Sequence, residues 1–261
     1  MNGEDKTMKK TIKIKSRIDT FELDLNIPEN WNEEKIVVAC HGFNSSKDSE
    51  AMMLIEEDLS KYGIAYARFS WPYHAERRID RDDFSVEKCI EDLYLVENTI
   101  KKEYPKTKIG IYANSFGAYL TLLRLKRKEH DFFAIALRAP AIKMDEIIEL
   151  FMANTNIEEI KKHGYILDKP DKKPMEIKYD FYEELKENRI SQLGEYKEKM
   201  LIYHGTIDDT APCKDVVEFA DNNKNVKLVL FDNESHKFSM ANLLQADKEI
   251  AKYFSENSTS K

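Results

Sequence analysis

Short runs of apolar, β-branched residues recur along this chain, each separated from the next by a segment with helical apolar spacing and charged flanks. The runs lie at 36–40, 64–69, 109–113, 133–137, 201–203 and 226–231. They are nearly continuous in hydrophobicity, the pattern of strands covered on both faces. Segments 50–61, 86–102, 116–128, 213–221 and 241–254 carry an apolar stripe at helical spacing. Strand and helix in alternation predict an α/β fold with a mainly parallel, twisted sheet and helices on both faces. Segments 11–15 and 21–27 alternate apolar and polar residues instead, which predicts an antiparallel hairpin at one sheet edge. A length of 261 residues, 42% of them hydrophobic, is enough for one such domain with a sizeable core.

The rhythm breaks between 141 and 194, where no convincing buried strand appears. That stretch holds an acidic helical pattern at 144–153, a shorter one at 157–162 and a lysine- and proline-rich loop at 169–178. An aromatic group follows, Tyr179, Phe181 and Tyr182. A structureless loop of this length is uncommon in a compact domain, so a small inserted cap is expected here. It follows a strand end, the side on which such sheets bind ligands. Phe151, Tyr179, Phe181 and Tyr182 are candidates to line an acyl or aromatic pocket; packing the cap to the body is their other use.

A formal net charge of -7 argues against nucleic acid and anionic membranes as partners. No apolar run approaches the ~20 residues of a membrane span. The first residues are polar and lysine-rich, without the apolar stretch of a secretory signal. Cys40, Cys89 and Cys213 are odd in number and widely spaced, which fits free thiols in a reducing cytoplasm. A homodimer is compatible with the sequence, which carries no signal of oligomeric state.

Ser115 carries the chemical signal. In Ala113-Asn114-Ser115-Phe116-Gly117 an apolar run ends, a serine sits among small residues, and helix-forming sequence begins. This reads as a nucleophile elbow, with alanine in place of the first glycine of G-x-S-x-G. A serine before a helix also serves as an N-cap, and that use remains open. A serine nucleophile needs a base, an acid to orient the base, and donors for the developing oxyanion. Cys40-His41-Gly42-Phe43 follows an apolar run; there the backbone N–H of Phe43, with that of Phe116, supplies candidate oxyanion donors. His204-Gly205-Thr206-Ile207-Asp208-Asp209 presents two carboxylates after another run, and either aspartate serves equally as a helix cap. His236 is the only one of six histidines that follows those aspartates, the order serine, acid, histidine. Cys40, His41, His204, Asp208 and His236 match no metal-ligand spacing, so no metal and no cofactor is expected. Arg77, Arg78 and Arg81 read as a solvated face paired with Asp80, Asp82 and Asp83, or as a site for a substrate carboxylate.

From about residue 34 onward these motifs together resemble the α/β-hydrolases, and among them the small bacterial carboxylesterases that include cinnamoyl and feruloyl esterases. His41-Gly42-Phe43 matches the oxyanion motif, Ala113 to Gly117 the elbow, and His204 to Pro212 the family's acid loop, which falls on Asp208. His236 followed by Phe238 also fits. One departure is larger: the family's arginine-glycine-histidine-glycine turn is here Ser70-Trp71-Pro72-Tyr73-His74-Ala75, with both glycines gone. The resemblance implies hydrolysis of a small-molecule carboxylic ester, of hydroxycinnamate type in the closest reading. Ser115 is then the nucleophile, His236 the base, Asp208 the acid, and His41 a substrate contact. Asp209 is expected to cap the following helix. Another acyl transfer on the same residues (peptidase, thioesterase, acyltransferase) and a non-catalytic binding protein are the alternatives.

Overall fold

The computed structural model describes residues 7–168 and 173–257. Residues 169–172 of the lysine- and proline-rich loop expected at 169–178 lie outside the described residues.

The apolar runs form one eight-stranded sheet of order β1-β2-β4-β3-β5-β6-β9-β10. Its strands are β1 (Thr7–Lys15), β2 (Thr20–Pro28), β3 (Lys35–Cys40), β4 (Ala65–Arg68), β5 (Lys108–Asn114), β6 (Ile135–Arg138), β9 (Met200–Gly205) and β10 (Val226–Phe231). β1 and β2 pair antiparallel as a hairpin at one edge, and β2 meets β4 antiparallel. From β4 to β10 every neighbour is parallel. The helices are α1 (Glu50–Met53), α2 (Ile55–Lys61), α3 (Val86–Glu103), α4 (Phe116–Arg127), α8 (Cys213–Asp221) and α9 (Met240–Glu256), with α5 to α7 in the insertion.

Strand periodicity divides the core into two layers. Ile36, Val38 and Cys40 of β3 face one layer, with Ile109, Ile111 and Ala113 of β5, under α3, α4 and α8. Val37 and Ala39 face the other, with Tyr112 and Ala136, under α1, α2 and α9. In β3, β4, β5, β6 and β9 burial on both faces explains the continuous apolar runs: a polar residue on either side would enter a core. The run at 226–231, expected to be covered on both faces as well, is instead the edge strand β10, with no fully buried residue and with Lys227 and Leu230 exposed.

Three further expectations are corrected. The helix expected over 50–61 is broken at Leu54 into α1 and α2. The strand expected from 133 begins at Ile135, although Phe133 N–H still donates to Ile109 O and Ala134 O accepts from Ile111 N–H. The 141–194 stretch is richer than expected. Beyond α5 (Met144–Met152) and α6 (Ile157–His163) it contains a hairpin of β7 (Tyr165–Leu167) and β8 (Met175–Ile177), then α7 (Tyr179–Glu187). Leu167, Met175 and Ile177 are buried. Strands of three residues are too short to show a period of two, so the pattern hid them. The whole excursion leaves after β6 and returns at β9, which pair directly. Its apolar residues, Ile147, Ile148, Ile160 and Leu185 among them, merge with the main core.

Candidate active site

The C-terminal ends of β3, β5, β9 and β10 bring the candidate residues together. β5 runs into α4 through Ser115, which adopts φ 51° and ψ -114°. A non-glycine residue at positive φ costs on the order of 1–3 kcal/mol and persists only where its surroundings hold it. The Ser115 N–H donates to Arg138 O at 3.1 Å, while Ser115 O accepts from Ala118 and Tyr119 N–H. Its side chain makes no helix-capping bond, which sets the N-cap reading aside. Gly117 is required: a Cβ there would lie 2.1 Å from Cys40 O. Ala113, where the elbow pattern has its first glycine, sits inside β5 opposite Cys40 and Leu137, with room for its methyl.

The Ser115 hydroxyl is oriented by His236, whose Nε2 lies 3.0 Å from Ser115 Oγ. His236 Nδ1 is 2.7 Å from Asp208 Oδ2. A carboxylate only accepts, so Nδ1 carries the proton and Nε2 is left to accept from the serine. The Asp208 side chain is sealed from solvent and His236 is 18% exposed. Asp208 Oδ1 accepts from Thr210 N–H at 2.9 Å and Ala211 N–H at 2.8 Å. Burial alone would raise the Asp208 carboxyl; the hydrogen bond and charge of His236, with the Ala211 N–H and His204, outweigh it and hold the group below the ordinary carboxylate range. His204 is also sealed in, and its Nε2–H donates to Ala211 O at 2.9 Å. Burial pushes its pKa down.

Asp209 does not cap α8. It is exposed and, among the described residues, accepts only from Thr210 Oγ1, while Pro212 takes the N-cap position without a side-chain bond. Asp208 satisfies the loop's N–H groups itself.

Gly205 holds the acid and base loops together. A Cβ there would meet Glu234 O at 2.2 Å, and Ile207 N–H donates to that same oxygen at 3.1 Å. The Glu234 carboxylate fastens the histidine loop, accepting from Ser235 N–H, Ser239 Oγ and Asn242 Nδ2. No sequence signal marks this role, because a glutamate two residues before a histidine has no motif.

The β3 loop lies against the elbow. A Cβ on Gly42 would sit 3.3 Å from Ser115 Cβ. The ring of Phe43 meets that of Phe116 edge-on at 5.2 Å. Phe116 opens α4, so its N–H has no acceptor within the helix. His41 is 1% exposed. Its Nε2 accepts from Trp71 N–H at 3.1 Å, its Nδ1–H donates to Gly42 O, and its own carbonyl accepts from Trp71 Nε1–H. Both ring nitrogens are engaged, so His41 locks the loop and does not face a substrate.

The turn without either glycine still runs through positive φ. Tyr73 has φ 63° and Ala75 has φ 47°, left-handed values at the two positions where the resembling family has glycine. Tyr73 reaches the insertion, where its OH accepts from Glu176 N–H at 3.4 Å. Arg77 is not part of a solvated face: it is buried and donates to Asp19, Asp92 and Ser70 O. Arg81 pairs with Asp82 and Glu176.

The aromatic candidates separate. Phe181 is buried, stacked on Phe43 at 5.9 Å and edge-on to Phe116 at 6.2 Å. Tyr179 packs on Tyr182 at 5.7 Å and under the Lys161 ammonium, within the insertion. Phe151 is partly buried against the main core. Among the described residues no cluster of three or more His, Cys, Asp or Glu is placed to hold a metal ion. Nor is any helix there long and apolar enough to cross a membrane.

Residues 32–163 match the family model described as serine aminopeptidase, S33. A comparison with curated protein sequences gives no match. Est1E from Butyrivibrio proteoclasticus, solved with ferulic acid bound, superposes with a TM-score of 0.75 at 21% identity, over 93% of this chain and 98% of that one. Mouse α/β-hydrolase domain-containing protein 10 gives 0.73 at 16% identity, over 95% and 98%. The esterase domain of a Rhodothermus marinus protein gives 0.68 at 16% identity, over 96% and 99%. Identities this low show the fold alone, an open α/β-hydrolase sheet.

Proposed function

The chain belongs to the serine aminopeptidase S33 family of α/β-fold hydrolases, and from that premise we propose that it cleaves a small carboxylic ester through an acyl-enzyme on Ser115. The observation that carries this reading is the pair of hydrogen bonds through His236, 3.0 Å to Ser115 Oγ and 2.7 Å to Asp208 Oδ2. His236 Nε2 takes the hydroxyl proton as Ser115 Oγ attacks the carbonyl carbon. Asp208 holds the tautomer and balances the imidazolium. The backbone N–H groups of Phe43 and Phe116 receive the oxyanion. The tetrahedral intermediate collapses, the proton passes from Nε2 to the leaving alcohol, and the acyl group stays on Oγ. Water then repeats the sequence and frees the acid.

An aromatic acyl group of hydroxycinnamate type is supported by the rings of Phe43, Phe116 and Phe181 around the donors. The insertion at 141–194 acts as the cap that selects it. The family description favours amide cleavage as the second reading, so the panel must contain both chemistries. Free Cys40, Cys89 and Cys213 suit a cytoplasmic enzyme.

The test is a fluorophosphonate label, which needs an activated serine. Wild type should take one label at Ser115. Turnover of short-chain, hydroxycinnamate, thioester and aminoacyl-arylamide substrates then ranks the chemistries. No label, or labelling that survives Ser115→Ala, overturns the reading; arylamide turnover above every ester replaces ester by peptide chemistry.

A further inference from the structure

A cavity of about 460 Å³ lies beside the proposed oxyanion loop, and no step above uses it. Its walls come from three places: Asn44 and Ser45 after Phe43, Ala75, Glu76 and Arg78 after His74, and Lys173 in the insertion. Asn44 is two residues beyond Gly42, whose Cβ position is 3.3 Å from Ser115 Cβ. Two residues span at most ~7 Å, so the cavity begins within reach of a substrate seated on Ser115.

Arg78 is held in place by its neighbours. Arg77 is anchored in the body by Asp19 and Asp92, with Nη1–H donating to Ser70 O at 2.8 Å. Arg77 N–H donates to His74 O at 2.8 Å, and Ile79 N–H to Arg77 O at 2.9 Å. The left-handed Tyr73 and Ala75 fix the turn that precedes them. Arg78 thus leaves a pinned backbone for the exposed side, into the cavity wall. Arg77 and Arg81 each have carboxylate partners, whereas among the described residues Arg78 has none.

Among the described residues the lining carries two cations, Arg78 and Lys173, against one carboxylate, Glu76. One unit of positive charge is left over, which a monoanion neutralises. Guanidinium matches carboxylate with two parallel hydrogen bonds, and the Ser45 hydroxyl adds a donor. We infer that the substrate carries a carboxylate remote from the scissile ester, and that Arg78, with Lys173, receives it in this cavity. The inference rests on the ester-hydrolase reading and names the substrate class of that site.

Matched esters test it: 4-nitrophenyl butyrate against mono(4-nitrophenyl) glutarate for the acyl side, and an acetate ester of a neutral alcohol against one whose alcohol bears a carboxylate. The readout is the ratio of kcat/KM, charged over neutral. Exposed charge pairs are individually weak, so a ratio of roughly five to ten is expected for wild type in one series, shrinking as salt rises. Arg78→Ala should bring the ratio toward one, and Arg78→Glu below one. A ratio within twofold of one in both series, or one that Arg78→Glu does not move, overturns the inference while leaving the hydrolase intact. If no ester turns over and Ser115 takes no label, the hydrolase reading fails instead. Calorimetric binding of glutarate to wild type and Arg78→Glu then decides the cavity by itself, equal affinity counting against it.

Discussion

Ser115 is the residue on which the proposed chemistry depends, and its backbone gives the reason for its position. At φ 51° it holds a left-handed turn before α4, and its hydroxyl makes no capping bond to that helix but meets His236. Ser115→Ala should keep the fold and lower ester turnover by roughly 10⁴-fold or more, since base and acid act only through this oxygen. Turnover within tenfold of wild type, on protein free of host esterases, would count against the triad. The adjacent carboxylates differ more sharply than their spacing suggested. Asp208 is buried with both oxygens engaged; Asp209 is exposed. Asp208→Asn should therefore cut kcat by orders of magnitude, because an amide stabilises the wrong tautomer and cannot balance the imidazolium. Asp209→Asn should change kcat less than twofold and leave the melting temperature within about 2 °C, as expected of surface sites. The reverse ranking on one ester would move the acid to Asp209. At this scale the sequence was legible where chain order and a neighbouring glycine constrain it: Gly117 marks the turn at Ser115, and His236 follows the aspartates, and the fold brings Ser115, His236 and Asp208 within hydrogen-bond distance. It was misleading where a side chain turns inward, as with His41 and Arg77, because burial is not written in a loop's composition.

The elements that carry the site owe their spacing to a few close approaches. β9 ends at Gly205, where backbone touches backbone across to Glu234. Gly205→Ala would force apart the loops bearing Asp208 and His236. It should destabilise the fold by roughly 1–3 kcal/mol, as overpacking does, and lower kcat further than its melting point explains. Full activity in a stably folded Gly205→Ala would show that the contact is slack. The same loop carries a pH dependence. Burial raises the Glu234 carboxyl, but Ser239, Asn242 and backbone N–H donors win and lower it from the ordinary 4.5 to about 2. A depressed carboxylate contributes stability that is present above its unfolded pKa and lost as pH falls through the folded one. Melting temperature should therefore drop between about pH 4.5 and 2, and Glu234→Gln should flatten that drop while melting lower at pH 7. Parallel profiles for the two proteins would remove Glu234 from the account. The centre of the sheet was legible because strands buried on both faces must be apolar throughout. α7 was not, because three of its apolar positions, Tyr179, Phe181 and Tyr182, are aromatics that read equally as a pocket lining.

On the scale of the whole molecule, the insertion is tied to the body at several points that also bear on the site. Glu184 of α7 accepts from the N–H groups of Val86 and Glu87, so an insertion carboxylate caps the body helix α3. Tyr119 OH donates to Asn188 O, and Lys178 pairs with Asp82. These ties seat Phe181 against Phe43 and Phe116, the two residues whose N–H groups are proposed to hold the oxyanion. Tyr179 is turned toward α6 and does not share that contact. The four aromatic candidates should therefore behave unequally. On the proposed placement of the acyl group, Phe181→Ala removes a ring beside it, so kcat/KM for a hydroxycinnamate ester should fall about tenfold or more relative to that for a small acetate. It also opens a cavity, and a stability loss of about 3–5 kcal/mol is expected, so Phe181→Leu is the companion that keeps the core filled. Tyr179→Ala should leave the ratio of the two esters unchanged. The measurement is that ratio, taken for Phe181→Leu, Phe181→Ala and Tyr179→Ala below their melting points. If both Phe181 variants keep the wild-type ratio, the insertion does not shape the acyl pocket through this ring. If Tyr179→Ala moves the ratio as far as they do, substrate choice lies in the insertion's overall packing and not in one aromatic wall.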